Sequence, residues 1–418
     1  MPGSNMKSDT NVKLPLSFIV FALIAFAASQ IILFFNSSEL LEGMFRIPKV
    51  WMSAHFLLLG FAVMTAMGAM YQLIPVTFLT SIWNQRLGFV QFFITAIGLT
   101  SFAILLGYRT NIAVYGGALV VIGILIFIFQ MAKTIAKLEK ASTMAAFVIS
   151  ALACLLLTIT AGFLLAWNLA FGELFDHVSI LLSHMTLGLA GWFTLLIMGL
   201  SYKMVPMFSL SHGFTNKWAD PAFYTYLTGL AVTIISYWVT IPSLRAVGLL
   251  LLFLGYGFFA LDMKEVLSKL VKKKLDKPFS FSITAIWNGL IMHFVALLAG
   301  ISNLNSENVW GWIIYLYMMT WIIFSMLGYL YKIVPFLYWT HKYSEKVGKE
   351  KVPTLKEMMN EKLGAVLYRP FHDQHFWDDR QCSLRKWHCF IYFLRGPSAR
   401  IHYLCNFNYS RVIKIKRK

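Results

Sequence analysis

Three histidines of this sequence, His55, His184 and His293, lie inside long apolar stretches. An ionisable side chain is expensive within a membrane and usually has a functional partner there. Neutral imidazole is a good metal ligand, including for haem iron. Because His55 and His184 stand at related places in two similar stretches, we expect both to bind haem iron. For His293 we expect a polar contact between helices, with metal ligation or proton transfer as the second interpretation.

Two glycines close to His184 support a flat ligand. Gly188 and Gly191 would let a planar cofactor approach the helix backbone closely. Helix packing alone is the alternative for these glycines. A hydrogen bond to Ser, Thr or a backbone carbonyl of a neighbouring helix is the alternative for each histidine. We take His55, His184, Gly188 and Gly191 as the candidate cofactor-binding residues.

The composition predicts an all-α polytopic membrane protein. The 418 residues are 58% hydrophobic and 13% charged, whereas soluble domains carry about 25% charge. Apolar runs of 18 or more residues each predict a transmembrane helix. We predict ten such helices, with approximate limits at residues 15–35, 50–79, 87–107, 112–132, 144–170, 178–208, 221–241, 244–262, 281–302 and 309–338.

The net charge of +18 is concentrated in loops and in the tail, so it predicts membrane topology and no nucleic-acid partner. Lys and Arg dominate alternate loops, for example at Arg86, Lys133 and Lys217. Since positive loops stay in the cytoplasm, we expect residues 1–14 to be cytoplasmic. Residues 15–340 then form a multi-pass domain in the lipid bilayer of the plasma membrane.

Three of the predicted helices end in one recurring pattern. Its copies lie roughly 130 residues apart and read Gly68-x-x-Tyr71-x-x-Ile74-Pro75, Gly199-x-x-Tyr202-x-x-Val205-Pro206 and Gly328-x-x-Tyr331-x-x-Val334-Pro335. A long period of this kind predicts internal repeats. We expect three four-helix pseudo-repeats, the last one incomplete, at about residues 15–135, 140–265 and 280–365.

The composition changes near Tyr368, and residues 366–418 form a basic, Cys- and His-containing tail. Two interpretations stay open. A frameshift could have replaced the two helices that would complete the third repeat, or the tail is a natural cytoplasmic segment. Its cysteines lack paired CxxC units, so the zinc pattern is weak.

The stretch from His184 through Gly191-Trp192 to Gly199, Tyr202 and Pro206 resembles a helix in subunit I of the haem-copper oxidases. The branch with b-type haems and the nitric oxide reductases is the most similar. That resemblance implies a scaffold of twelve helices in three four-helix arcs, which agrees with the repeat period. It also implies haem b, with His184 as one axial ligand and His55 as the other.

The resemblance has two departures. The family's second histidine on this helix is replaced by Thr186, and the tenth predicted helix has Ile313 and Tyr315 where the family has its histidine pair. The histidine triad that holds copper in the family is also missing, so copper is not expected and enzymatic activity stays undecided.

The resemblance implies electron transfer, or chemistry or sensing of oxygen or nitric oxide. A cytochrome c-like or quinol electron donor, or a small partner subunit, would then be a partner. The alternative is a haem-free membrane protein of the same scaffold that acts in transport or assembly.

Overall fold

The computed structural model describes residues 11–138, 140, 142–239, 241–271, 275–302, 306–355 and 357–358. The chain divides into two compact units, residues 1–361 and 362–418, and every described residue belongs to the first. The predicted basic tail lies outside the described residues, together with both of its interpretations and its zinc pattern.

The described part of the first unit is helical, and ten of its helices are long and apolar enough to cross a membrane. The predicted helical membrane class and all ten predicted segments are therefore confirmed. In chain order they are α1 Lys13–Phe35, α2 Pro48–Phe78, α3 Gln85–Tyr108, α4 Thr110–Ile135, α5 Thr143–Phe171, α6 His177–Ser209, α7 Ala219–Val239, α8 Pro242–Ser268, α9 Lys277–Ile301 and α10 Glu307–Lys346.

Two of these helices continue beyond their predicted ends. α8 reaches Ser268 because Glu265 forms an ion pair with Lys269 at 3.0 Å, a spacing of four residues that supports a helical turn in water. α10 continues to Lys346, and Trp339 near its end donates a hydrogen bond to the Pro353 carbonyl at 2.7 Å. Polar turns of this kind carry no hydropathy signal. A short helix, Ser37–Leu41, also lies between α1 and α2.

Helices α2, α6 and α10 form the interior of the bundle. In their most apolar windows 89%, 61% and 67% of the residues are buried, compared with 28–50% in the other seven helices. The outer helices expose large apolar side chains such as Ile24, Phe93 and Ile122. Since such surfaces are stable only against an apolar solvent, the exposed faces fit a lipid environment.

Each interior helix contains a π-helical segment, at Phe56–Val63 in α2, Leu187–Thr194 in α6 and Tyr317–Ile323 in α10. A π turn disturbs the regular backbone hydrogen bonds and frees carbonyl groups. In α6 the Thr194 hydroxyl donates to the Leu189 carbonyl at 2.8 Å, and the Tyr226 hydroxyl donates to the Ala190 carbonyl at 3.1 Å. Side chains thus satisfy the backbone where α6 widens.

Candidate functional site

The first halves of α2, α6 and α10 surround a cavity of about 760 Å³, which residues of the other seven long helices and of the segment before α2 complete. Most of its wall is apolar, and ligand pockets are usually about 300–1,000 Å³ in volume. His55, His184 and His293 all line this cavity. The structure therefore brings the three histidines singled out in the sequence to one site.

His55 lies where α2 passes into its π segment. Its Nδ1 is 2.8 Å from the carbonyl oxygen of Trp51, one turn earlier in the same helix. A carbonyl oxygen can only accept, so Nδ1 carries the proton and Nε2 keeps its lone pair. The Phe102 ring on α3 meets the imidazole nearly edge-on, with centroids 5.2 Å apart.

His184 is held in the same tautomer by a different helix. Its Nδ1 is 2.9 Å from the carbonyl oxygen of Thr158 on α5. Gly162, one turn further along α5, gives the ring its space, because a Cβ at this position would lie 2.8 Å from Cε1 of His184. The imidazole of His184 is therefore fixed by both a hydrogen bond and a close backbone approach.

His55 and His184 form a pair with unused nitrogen atoms. Both rings line the cavity, His55 from α2 and His184 from α6. Nε2 of each ring has no hydrogen-bond partner among the described residues, and neither Nε2 is sealed within the packing. Two imidazoles that line one cavity from two helices are candidate ligands for one metal centre.

The donor set suits a macrocycle better than a bare ion. Where the structure describes the chain, no group of three or more His, Cys, Asp or Glu side chains is placed to hold a metal ion. Bare metal ions in proteins usually need four or more ligands. A porphyrin supplies its own four nitrogens, so His55 and His184 would suffice as axial ligands.

The predicted glycines occupy different environments. Gly188 lines the cavity, and a Cβ there would lie 3.3 Å from the Thr158 side chain. Gly191 faces α5, where a Cβ would lie 2.9 Å from Cβ of Cys154, and it does not line the cavity. The geometry thus places Gly188 on the cavity wall and Gly191 at a contact between two helices.

His293 differs from the other two histidines because both of its ring nitrogens are engaged. Nδ1 is 2.7 Å from the Gly289 carbonyl oxygen, so it carries the proton. Nε2 lies 3.1 Å from the Tyr226 hydroxyl and 3.3 Å from the Tyr317 hydroxyl. Tyr256 stacks on the ring, with centroids 4.3 Å apart. Nε2 is thus within hydrogen-bond distance of two tyrosine hydroxyls, which is the geometry of a polar helix contact.

The hydrogen bonds continue from His293 into α6 and α10. Tyr317 and Thr194 have their hydroxyl oxygens 2.6 Å apart, and the Trp321 indole donates to Thr194 at 3.1 Å. We call His293, Tyr226, Tyr317, Thr194 and Trp321 the His293 cluster. It joins α6, α7, α9 and α10, so its hydrogen bonds fix the helices on one side of the cavity.

The cavity wall also includes charged and hydroxyl groups. Arg46 forms an ion pair with Glu307 at 3.2 Å, and both side chains are more than half exposed. Arg245, near the start of α8, has a buried Nε without a hydrogen-bond partner. Tyr237 on α7 and Thr186 on α6 share a hydrogen bond of 3.0 Å between their hydroxyls.

Several of these residues carry no sequence signal of their own. Thr158 and Gly162 lie on an apolar helix, and their role comes from the neighbouring His184. The members of the His293 cluster come from four helices. The one useful signal is that buried tyrosines need a hydrogen-bond partner, so a histidine near several tyrosines is a candidate for that role.

No protein-family model matches the sequence, and no curated protein matches it. The functional assignment therefore depends on the chemistry of the cavity.

Proposed function

We propose that this protein binds one haem b between α2 and α6, with Nε2 of His55 and Nε2 of His184 as its axial ligands. One observation carries the proposal: two imidazoles that line one cavity each donate Nδ1–H to a backbone carbonyl, and no described residue engages either Nε2 lone pair. A hydrogen bond of this kind on the second ring nitrogen is typical of metal-ligating histidines, because it fixes the tautomer and the ring orientation.

Electron transfer within a membrane is the function that this ligand pair favours. Haem supplies one-electron chemistry. Two histidine ligands leave no open position for a diatomic gas, so chemistry or sensing of oxygen or nitric oxide would require one histidine to leave. Most of the cavity wall is apolar, and the carbonyls of Trp51 and Thr158 hold the two rings in place.

The threefold repeat belongs to the same proposal. The three π segments begin at Phe56, Leu187 and Tyr317, roughly 130 residues apart. Helices α2 and α6 also end alike, since Leu79 and Leu210 both adopt the left-handed conformation four residues after the proline. Matching irregularities at matching positions support three related units on a scaffold like that of oxidase subunit I.

A second pair of contacts supports the repeat. In the first repeat the buried Tyr71 hydroxyl meets Gln130 of α4 at 2.7 Å. In the second repeat the Tyr202 hydroxyl donates to Asp262 of α8 at 3.0 Å. The same tyrosine of the recurring pattern thus meets a polar side chain on the fourth helix of the first two repeats.

The positive loops support a plasma-membrane protein with a cytoplasmic N-terminus, which puts the cavity toward the outer leaflet. In this position the haem would exchange electrons with a cytochrome c-like protein, a quinol or a small partner subunit. Copper has no role in the proposal.

Haem content tests the proposal directly. The full chain is expressed with a haem precursor, purified in detergent and measured for its Soret band and pyridine haemochrome. We expect about one haem b per chain. Purified, monodisperse protein without haem, before and after reconstitution with haem b, would contradict the proposal.

A haem-free transport or assembly protein is the second candidate. The mixed wall of the cavity, apolar with a few hydroxyl and charged groups, would equally suit a small amphiphilic cargo. Protein that stays free of haem but binds such a molecule in the cavity would favour this candidate.

A further inference from the structure

Among the described residues, Arg245 is a cavity-lining cation without an ion-pair partner. Two arginines of the described chain line the cavity, Arg46 and Arg245, together with one acid, Glu307. Glu307 is paired with Arg46. For Arg245, no carboxylate lies within ion-pair distance in the part of the chain that the structure describes, and its buried Nε has no hydrogen-bond partner there. Arg245 therefore offers a positive charge and an unused Nε–H donor at the cavity.

Hydroxyl groups line the same cavity as this arginine. Tyr237 lies in the last turn of α7 and Arg245 in the first turn of α8, the next helix along the chain, and both line the cavity. Tyr237 is hydrogen-bonded to Thr186 at 3.0 Å, and all three residues line the cavity. Thr186 follows His184 by two positions, so this polar patch is close to the proposed iron ligand along α6.

We propose that Arg245, assisted by Tyr237, binds a carboxylate group of the molecule in the cavity. A guanidinium presents parallel N–H groups that match a carboxylate, and such charge-assisted bonds are about twice as strong as neutral ones. The same patch does not suit a cation, since its charge is positive. The alternative for Arg245 is a side chain that extends to the membrane surface and holds no ligand.

Two sources could supply the carboxylate. One is a propionate of the porphyrin, and in this form the inference rests on the proposed function. The other is a free fatty acid that enters from the surrounding lipid. Both present the same group to Arg245, so the experiment uses one arm for each source.

The first arm compares haem b with its dimethyl ester, which lacks the free carboxylates. Each is bound to the full-length protein, and its dissociation to an excess of a haem-accepting apoprotein is timed. In the wild type we expect haem to leave about tenfold more slowly than the ester, the ratio that corresponds to 1.4 kcal/mol. In Arg245→Gln this ratio falls to about one, because haem leaves faster while the ester is unchanged.

The second arm measures binding of a fluorescent fatty acid to wild type and Arg245→Gln, without haem. Loss of fatty-acid affinity with an unchanged haem-to-ester ratio assigns the patch to a free carboxylate. Arg109→Gln is the matched control, since Arg109 is exposed and lies between α3 and α4, away from the cavity lining. Tyr237→Phe keeps the ring and loses the hydroxyl, so it is expected to have a smaller effect, about threefold.

If neither haem release nor fatty-acid binding depends on Arg245, the inference is wrong. Failure of the haem proposal gives a different result, because the wild type then takes up neither haem nor its ester. The fatty-acid arm still decides whether Arg245 binds a carboxylate. Should Arg245→Gln fail to fold, Tyr237→Phe answers the same question in both arms.

Discussion

The cavity brings together histidines in two kinds of environment. On the side of α2, α5 and α6, His55 and His184 each use Nδ1 for a backbone carbonyl, and Nε2 of each has no hydrogen-bond partner among the described residues. On the side of α7, α9 and α10, Nε2 of the buried His293 meets the hydroxyls of Tyr226 and Tyr317. All three rings line the same cavity, and the two candidate ligands differ from the structural histidine in their lower burial and in an Nε2 that no described residue engages.

This difference has an energetic basis. A buried polar nitrogen without a partner is destabilising by about 1–3 kcal/mol. His293 is buried and its Nε2 lies against two tyrosine hydroxyls, whereas the rings of His55 and His184 are only partly buried and their Nε2 atoms can take a ligand.

The largest effect is expected from removing either iron ligand. His55→Ala or His184→Ala should lower the haem content of purified protein more than tenfold, because an axial bond and its orientation are lost together. Pyridine haemochrome per chain is the measurement. His212→Ala is the control, since His212 is exposed in the loop after α6. Haem content that stays at the wild-type level in both variants would exclude this pair as ligands.

A smaller effect is expected from crowding His184 without changing its chemistry. Gly162→Ala puts a methyl group 2.8 Å from Cε1 of His184, so the ring or α5 must shift by several tenths of an ångström. We expect haem to dissociate several-fold faster and its visible bands to move. Gly257→Ala is the matched control, because nothing lies within 4 Å of a Cβ at Gly257. Identical haem release from both variants would mean that Gly162 does not contribute to the haem site.

On the other side of the cavity the expected effect is on stability. His293→Leu breaks the hydrogen bonds of Nδ1 and Nε2 and should reduce stability by about 1–3 kcal/mol. The thermal midpoint in detergent falls, while the haem content per folded chain is unchanged. His212→Leu serves as the control. Should His293→Leu lose haem as completely as His184→Ala while its midpoint is unchanged, the distinction between the two sides is wrong.

The smallest effect concerns the cap that starts α6. The Asp176 carboxylate accepts a hydrogen bond from the backbone N–H of Ser179 at 3.2 Å, and the Ser179 side chain is the largest cause that lowers the pKa of Asp176. Because the folded pKa is lowered, the cap stabilises the helix at neutral pH, and this stabilisation is lost as the pH falls through the lowered pKa.

In Asp176→Asn the cap no longer titrates, and Asn caps helices as well as Asp. The thermal midpoint of this variant should therefore match the wild type at neutral pH and fall less on acidification. Thermal scans at several pH values give the measurement. An equally steep acid response in both proteins would mean that Asp176 does not contribute.

The fold could be predicted from the sequence because lipid imposes a simple rule. A helix that crosses a bilayer needs a long apolar run, and each of the ten apolar runs found in the sequence forms a long helix in the structure. The π segments could not be predicted, since they depend on tertiary contacts. The widened turn of α6 is satisfied by the Tyr226 hydroxyl on α7, which the local sequence of α6 does not contain.

The site was predictable only in part, for a related reason. His55 and His184 stand out as ionisable residues in apolar segments, but their tautomers depend on the carbonyls of Trp51 and Thr158. In the sequence, Gly191 and Gly188 are equally good candidates for a close approach of a cofactor. Only the packing of Gly191 against Cys154 shows that it lies at a helix contact, whereas Gly188 lines the cavity. A sequence lists the groups that can react, whereas the contacts in the folded chain, within one helix for His55 and from α5 for His184, decide which of their atoms are free.

The axial ligands of the bound iron provide the most direct test of the central claim. Near-infrared magnetic circular dichroism of the ferric protein distinguishes two imidazole ligands from one imidazole with water or another side chain. We predict the signature of two neutral imidazoles in the wild type, and its change to that of a histidine–methionine pair in His184→Met and in His55→Met. A wild-type spectrum with a single imidazole, or one that neither substitution alters, would contradict the account.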